Sequence, residues 1–355
     1  MSIRVNPLGP AAAEIFGLDC ARSFTDRAFQ VVESAFLDYP VLIFRDQLLS
    51  ATDVARFGRR FGPLEGYGTP ATAAESKTET PKRELAALRQ IDGRETPDLL
   101  LYVSPSDPDV LMMSNEIRSD LNAIGIVDNA ETWHSDASHR AQPCKAVALY
   151  ATRNPSAGGD TEFCDMRAVY DALAADLKAE LAGRTAIHHW SKSKNPQFAG
   201  TLDAAAYEEG ERIARLVPEM RQPVVRTHPQ TGRLSLYASP RFALRIDDVS
   251  QQRSDRLLAE IFALAEEPRF HYRHQWRDND LVIWDNRCLN HRVRFFPTQD
   301  IRRRLRVSIV GDRPFYLPAA SAHPDDVARA DWCEARRRHS GRAQIDGTHN
   351  LIVAA

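Results

Sequence analysis

The amino-acid sequence predicts a mainly β fold in which helices surround an antiparallel core, as in a distorted jelly roll. Residues 270–276, 281–284 and 305–310 are short apolar runs separated by polar turns, the pattern of antiparallel strands. Elsewhere apolar residues recur at helical spacing, which places helices around the strands. The 355 residues contain no internal repeat and no clear linker between independent units. We therefore expect a single domain over residues 1–355.

The N-terminal elements follow from hydrophobic periodicity and from residues that start or stop helices. Residues 25–37 are predicted to form an amphipathic helix that Pro40 stops, and the apolar run 41–44 a buried strand. Ser50 is predicted to begin a second helix over 51–61, because its hydroxyl can accept a hydrogen bond from a backbone N–H of the first turn. The chain therefore opens with a helix, a strand and a helix.

Two segments are predicted to be additions to a core domain that covers about residues 41–314. Residues 67–109 show little periodicity and predict an insertion or lid with one short helix near 82–89. Long loops of this kind often carry function. Residues 315–355 predict a C-terminal extension that contains a helix over 325–338.

The rest of the core alternates between strands and helices. Strands are predicted over 110–113, 146–152, 223–227 and 234–238. Helices are predicted over 166–181, 204–216 and 254–265. A turn is expected at the glycine pair 158–159, since glycine adopts turn conformations at little cost.

Composition argues against several classes of protein. A hydrophobic share of 43% and a charged share of 26% are typical of a globular protein, and a net charge of −2 indicates neither nucleic acid nor an anionic membrane as a partner. The five cysteines include no CxxC pair, which disfavours a disulfide framework or a thiolate zinc site and fits a reducing compartment. No apolar stretch is long enough to cross a bilayer, so we expect a cytoplasmic enzyme.

The stretch 132–136 carries a pair of metal-binding side chains. In an extended backbone His134 and Asp136 point to the same side, and Ser135 to the other. A non-haem iron site needs two imidazoles and one carboxylate on one face, with the other positions open. The best candidate for the second imidazole is His291. The alternative for His291 is a buried histidine that only makes hydrogen bonds.

A run of arginines follows the second histidine. Strand alternation puts Arg302, Arg304 and Arg306 on one face. A guanidinium binds a carboxylate through two hydrogen bonds and keeps its charge, so this face is suited to holding a dicarboxylate beside the metal. The alternative is a solvent-facing, cationic strand edge, which commonly guards against aggregation.

Taken together, the sequence motifs resemble the taurine dioxygenase and 2,4-dichlorophenoxyacetate dioxygenase family (TauD/TfdA), from about residue 41 to residue 314. The resemblance is carried by the segments 41–47, 61–64, Trp133-His134-Ser135-Asp136, Gly158-Gly159-Asp160-Thr161, Trp284-Asp285-Asn286-Arg287 with His291, and Arg302 with Arg306. The resemblance implies a double-stranded β-helix with helical cover, and an oxidoreductase that uses Fe(II), 2-oxoglutarate and O2.

The resemblance also implies a role for each candidate residue. Three residues would bind Fe(II): His134, Asp136 and His291. Arg302 and Thr161 would hold the distal carboxylate of 2-oxoglutarate, and Arg306 would meet an anionic group on the primary substrate. Related halogenases have a small residue in place of the carboxylate ligand, so Asp136 favours hydroxylation over chlorination. His228 lies in a turn that resembles a family turn and is expected to be structural.

The implied reaction hydroxylates a small organic acid and releases succinate and CO2. We expect a sulfonate, sulfate ester or aryloxyalkanoate as the substrate, and a homo-oligomer, either a dimer or a tetramer. One alternative is a zinc hydrolase or lyase with the same ligand set, which would have no need of a dicarboxylate site at Arg302 and Thr161. The other is a jelly-roll binding protein that has lost catalysis.

Overall fold

Sixteen strands form four sheets in the part of the chain that the structure describes. This computed structural model describes residues 3–66, 103–116, 131–191, 194, 195, 200, 204–215, 217–297 and 299–318. The strands are β1 (Arg4–Gly9), β2 (Ala12–Phe16), β3 (Val41–Phe44), β4 (Val103–Ser104), β5 (Asp107–Ser114), β6 (Ala146–Arg153), β7 (Thr161–Asp165), β8 (Thr185–His188), β9 (Met220–Pro223), β10 (Val225–Thr227), β11 (Leu234–Leu236), β12 (Ala243–Ile246), β13 (His271–His274), β14 (Leu281–Asp285), β15 (Leu289–Val293) and β16 (Arg303–Ile309).

The largest sheet has eight strands in the order β1-β2-β3-β14-β6-β16-β5-β4. Its pairs are antiparallel except β2 with β3. A smaller sheet, in the order β13-β7-β15, carries the segments around Thr161 and His291. The molecule is thus a mixed fold of β-sheets with helices, as the sequence predicts.

The central strands of the large sheet are buried on both faces. In β14, Leu281 and Ile283 pack on the helix side, whereas Val282 and Trp284 pack on the opposite side. The second group meets the small sheet, where the ring centroids of Trp284 and Phe163 are 5.6 Å apart. The two sheets therefore face each other across one hydrophobic cluster.

Helices cover the outer surfaces of these sheets. They are α1 (Asp26–Asp38), α2 (Ala51–Phe61), α3 (Met166–Ala172), α4 (Ala175–Leu181), α5 (Ala204–Ala214) and α6 (Gln251–Ala265). Helix α2 begins with a capping box in which Ser50 and Asp53 exchange hydrogen bonds with each other's backbone N–H. Its Phe57 packs edge-on against Phe44 of β3, with ring centroids 5.1 Å apart. None of the helices described has the length and apolarity that a membrane crossing requires.

The structure confirms most predicted elements and corrects several. The strand expected over 223–227 is divided between β9 and β10, which belong to different sheets. The helix expected over 166–181 is two short helices, α3 and α4, because the backbone is extended at Leu173 and Ala174. Leu173 is nevertheless buried. The apolar residues therefore keep the spacing of one continuous helix, although the helix itself is interrupted. The helices predicted near 82–89 and over 325–338, and the segment 117–130 before the metal pair, lie outside the described residues.

Gly158 has a conformation and a neighbour that exclude a side chain. Its φ is +72°, and an added Cβ would lie 2.2 Å from the Phe295 carbonyl oxygen. We expect Gly158→Ala to lower the free energy of unfolding by about 2–4 kcal/mol in urea titrations, because the clash adds to the cost of a left-handed backbone. Gly200→Ala is the matched control, since Gly200 has the same φ and no atom of the described residues lies within 4 Å of an added Cβ. Equal losses in the two variants would contradict the clash.

Candidate metal centre and the surrounding pocket

His134, Asp136 and His291 meet at one buried point between the two facing sheets. Their potential ligand atoms all lie within 4.8 Å of one another. Asp136 Oδ1 is 3.8 Å from His134 Nε2, and Asp136 Oδ2 is 3.6 Å from His291 Nε2. The structure thus brings together the three side chains that the sequence singles out.

Backbone pairing holds the two histidines side by side. His134 and His291 form an isolated antiparallel β-bridge, with N···O distances of 3.0 and 2.8 Å. The stretch 132–136 is therefore not a full strand, and the chain turns after Asp136 at Ala137, where φ is 57°. The alternation of side chains still holds, because Ser135 points away from the cluster and donates a hydrogen bond to the Asn286 carbonyl oxygen at 2.7 Å.

The hydrogen bond of His134 selects one tautomer. Its Nδ1 lies 2.8 Å from the Thr132 carbonyl oxygen, which can only accept, so Nδ1 carries the proton. The lone pair is then on Nε2, which faces the cluster. A carbonyl that orients a metal-binding imidazole in this way is a common feature of metal sites.

The electrostatics of the cluster suit a divalent cation. Burial alone would raise the pKa of Asp136, but the nearby positive charge of Arg306 opposes this effect and holds that pKa well below its usual value. Burial lowers the pKa of His291 to about 3, so this ring is neutral and can donate a lone pair.

The surroundings of Asp136 Oδ2 test whether a metal ion fits this cluster. This buried atom accepts no hydrogen bond from the described residues, and the guanidinium of Arg306 lies 3.3 Å away. A buried carboxylate oxygen that has an ion pair but no hydrogen bond keeps lone pairs that can bind a metal ion. Two imidazole nitrogens and a carboxylate are ligands that Fe(II) accepts, so the residues fit the metal.

Asn286 fixes the loop that carries Asp136. Its carbonyl accepts from Ser135, its Oδ1 accepts from Trp284 Nε1 at 3.0 Å, and its Nδ2 donates to Cys144 Sγ at 3.3 Å. The motif 284–287 contains Asn286, but sequence reasoning assigned it no role. The sequence motif includes Asn286, but the contacts that Asn286 makes depend on the fold and could not be predicted from the motif.

The arginine strand lies inside the large sheet, so its interpretation as a solvent-facing edge is wrong. Strand β16 lies between β5 and β6, and Arg302 is only 5% exposed. The register of β16 on β6 shifts between Arg303 and Arg304, where β6 has one extra residue, Thr152. Arg304 is fully buried and does not line the pocket, whereas Arg302 and Arg306 do.

One pocket contains every predicted site residue. Its polar lining consists of His134, Asp136, Thr161, His291, Arg302 and Arg306. Its apolar lining consists of Met113, Leu149, Trp284 and Val293. The candidate metal ligands and the groups predicted to bind a carboxylate therefore share one cavity.

Sequence reasoning missed a further cation near this cavity. Arg241 donates its backbone N–H to the Trp133 carbonyl oxygen at 3.3 Å, and its guanidinium lies 5.4 Å from the Phe242 ring centroid. Its charge adds to those that lower the pKa of Asp136. No spacing pattern marks Arg241, because only the fold brings it beside the cluster.

A second buried charge network lies behind the cluster. Asp285 accepts from Arg287 Nε at 2.8 Å and from His228 Nε2 at 3.1 Å. His228 Nδ1 accepts the backbone N–H groups of Gln230 and Thr231. His228 thus uses both ring nitrogens as a neutral imidazole, which supports its predicted structural role.

This network predicts a stability change with pH. Burial, then the charge of Arg287, lowers the pKa of His228 to about 4. A pKa that is lower in the folded state means that stability is complete above the unfolded value of about 6.5 and falls as the pH drops, by about 3 kcal/mol at pH 4. We expect His228→Gln, whose amide can still donate to Asp285, to show a shallower fall in urea titrations between pH 7 and pH 4. Identical slopes in the two proteins would contradict this assignment.

The comparisons with known proteins agree with this geometry. The family model described as "Taurine catabolism dioxygenase TauD, TfdA family" matches residues 4–308. The chain is 33% identical to the alpha-ketoglutarate-dependent 2,4-dichlorophenoxyacetate dioxygenase of Cupriavidus pinatubonensis, over 88% of this chain and 99% of the relative. It is 30% identical to pentalenolactone F synthase of Streptomyces avermitilis, over 92% and 99%.

A solved structure has the same fold. The crystal structure of AAD-2 in complex with Mn(II) and N-oxalylglycine superposes with a TM-score of 0.66 and 29% identity, over 89% of this chain and all of that one. The family match covers most of the chain, as do relatives at 30% identity or more. This protein is a member of the TauD/TfdA family.

Proposed function

We propose that this protein is an Fe(II)- and 2-oxoglutarate-dependent dioxygenase that hydroxylates a small organic acid and releases succinate and CO2. His134, Asp136 and His291 would bind Fe(II). The observation that carries the proposal is the shared cavity, in which Thr161 and Arg302 lie beside the two-histidine, one-carboxylate cluster. A zinc hydrolase needs no such anchor for a dicarboxylate, and a binding module needs no buried cluster of metal ligands.

The two carboxylates of the cosubstrate match two positions in the cavity, Arg302 and the candidate metal ligands. Arg302 would bind the distal carboxylate of 2-oxoglutarate through its planar guanidinium, and the Thr161 hydroxyl would donate a further hydrogen bond. The keto acid end would then face the metal ligands. N-oxalylglycine, which is bound in the structure of AAD-2, has two carboxylates at a similar separation.

The chain itself would orient the reactants and exclude water. Fe(II) supplies the activation of O2, coupled to oxidative decarboxylation of the keto acid and to oxidation of a substrate C–H bond. Met113, Leu149, Trp284 and Val293 form apolar walls around the reacting groups. Such walls keep water away and strengthen the electrostatic contacts inside the cavity.

Arg306 is the proposed recognition group for the acid function of the primary substrate. It lines the cavity and lies 3.3 Å from Asp136, so an anion bound to it would be beside the metal ligands. Relatives named for 2,4-dichlorophenoxyacetate and for (S)-phenoxypropionate favour an aryloxyalkanoate. Sulfonates and sulfate esters present the same negative charge and are the other classes proposed.

A substrate panel tests this proposal. Succinate formation is measured with 2-oxoglutarate, Fe(II) and matched acids and amides of aryloxyalkanoates, together with alkyl sulfonates and sulfate esters. We expect turnover with at least one acid and none with its neutral amide. Turnover of uncharged compounds only would contradict the role of Arg306, and an absence of succinate with every compound would contradict the proposed reaction.

Four further features belong to the same proposal. The fold is a double-stranded β-helix of the distorted jelly-roll type, and the chain is one catalytic domain with an insertion or lid at 67–109 and an extension at 315–355.

Cys20, Cys144, Cys164 and Cys288 are free and buried, which supports a reducing, cytoplasmic location. A dimer or tetramer is expected, and light scattering on the purified protein measures its mass.

A further inference from the structure

The indole of Trp276 makes a directed contact with the candidate cosubstrate site. Its Nε1 donates a hydrogen bond to Thr161 Oγ1 at 2.9 Å. Thr161 is 2% exposed and lines the cavity, and it pairs with His274 of β13, two residues before Trp276. The hydrogen bond therefore joins a cavity residue to a side chain behind it.

This hydrogen bond decides the direction in which the Thr161 hydroxyl can donate. An indole N–H only donates, so the oxygen of Thr161 must act as its acceptor. A hydroxyl has one hydrogen to donate, and that hydrogen must then point away from Trp276. Trp276 does not line the cavity, whereas Arg302 and the other polar groups do.

Buried groups hold the indole in this orientation. His274 packs edge-on against Trp276, with ring centroids 4.6 Å apart and an interplanar angle of 90°. The Arg304 guanidinium lies over the Trp276 ring, 4.7 Å from its centroid. Arg304 is fully buried and donates to Asn154 Oδ1 and to the Arg153 carbonyl oxygen, so it is itself fixed.

We propose that Trp276 is a positioning residue, which occupies an acceptor position of Thr161 and thereby directs the Thr161 hydroxyl hydrogen toward the distal carboxylate of 2-oxoglutarate. This inference rests on the proposed function of the cavity. A donor that is already oriented binds an anion with less loss of conformational freedom. Arg304 contributes by fixing the indole rather than by touching the cosubstrate.

The test compares two keto acids that differ only at the distal end. Isothermal titration of the full-length protein loaded with Mn(II) measures the affinities for 2-oxoglutarate and for 2-oxopentanoate, which has a methyl group in place of the distal carboxylate. We expect Trp276→Phe to weaken 2-oxoglutarate binding about fivefold to tenfold, less than the loss of a whole hydrogen bond to a charged group because the Thr161 hydroxyl remains, and to leave 2-oxopentanoate binding unchanged.

A double-mutant cycle separates this role from a merely structural one. In a Thr161→Val background, where the hydroxyl is absent, Trp276→Phe is expected to have no further effect on 2-oxoglutarate affinity. Trp190→Phe is the matched control, because Trp190 stacks on His139 with ring centroids 5.8 Å apart and does not line the cavity. Trp276→Tyr is a second variant without the indole N–H, for use if phenylalanine disturbs folding.

Each outcome has a defined meaning. Equal weakening of both keto acids by Trp276→Phe, no weakening of either, or a full effect in the Thr161→Val background would overturn the positioning role. Equal affinity of the wild-type protein for the two keto acids is a different failure. It would show that the cavity has no site for the distal carboxylate, and the proposed function itself would then be wrong.

Discussion

Asp136→Ala is expected to weaken binding of Fe(II), or of Mn(II) as its stable substitute, on the order of 100-fold or more, and to abolish turnover. Asp136 supplies the one carboxylate among the three candidate ligands, and its buried Oδ2 accepts no hydrogen bond from any described residue. Removing it takes away the negative charge that balances the cation and leaves the guanidinium of Arg306 facing the metal position. Calorimetric titration of the metal into the apoprotein measures the loss.

The control for this variant is Asp171→Ala, which removes an exposed carboxylate from helix α3. Circular dichroism checks that both variants fold. Unchanged metal affinity in Asp136→Ala would mean that the cluster is not the metal site. A similar loss in Asp171→Ala would mean that the effect is not specific to the cluster.

Asp285→Ala is expected to lower the free energy of unfolding by about 3–5 kcal/mol, because it leaves two buried partners without their carboxylate. Arg287 donates to both oxygens of Asp285, and His228 donates to one of them, with all three side chains almost fully buried. Burial opposes ionisation of Asp285, but the charge and hydrogen bonds of Arg287 keep its pKa well below the usual value. Urea unfolding followed by tryptophan fluorescence gives the difference.

A surface ion pair provides the comparison for this network. Glu219 and Arg245 are 2.9 Å apart, and both side chains are about two-fifths exposed, at 41% and 39%. Glu219→Ala should therefore cost below about 1 kcal/mol, since solvent screens such pairs. A loss in Asp285→Ala no larger than that in Glu219→Ala would contradict the importance of the network.

The candidate metal ligands could be predicted from sequence because their geometry depends on local rules. Alternation along an extended backbone is enough to place His134 and Asp136 on one side, even though the structure forms only an isolated bridge there. His291 was harder to predict from pattern, since β15 has the sequence Leu-Asn-His-Arg-Val and does not show the alternation of a typical strand. Its polar residues belong to the candidate site and to a neighbouring ion pair. The alternation of polar and apolar residues that marks a strand is therefore missing.

The remaining site residues depend on contacts between distant segments. Arg304 was expected to share a face with Arg302 and Arg306, but its guanidinium lies over the ring of Trp276 and is not part of the cavity lining. Arg241 and Trp276 contribute through packing that joins loops far apart in the chain. No spacing rule in one sequence reports such pairings, so these residues were not predicted.

The most direct test of the oxygenase assignment is an anaerobic titration of the apoprotein with Fe(II) and then with 2-oxoglutarate, in the wild-type protein and in His134→Ala. A 2-oxo acid chelated to Fe(II) gives a weak visible charge-transfer band. We predict that the band appears in the wild-type protein and is absent from His134→Ala. A wild-type protein that binds Fe(II) but never shows the band would contradict the assignment and favour hydrolytic metal chemistry at the same three residues.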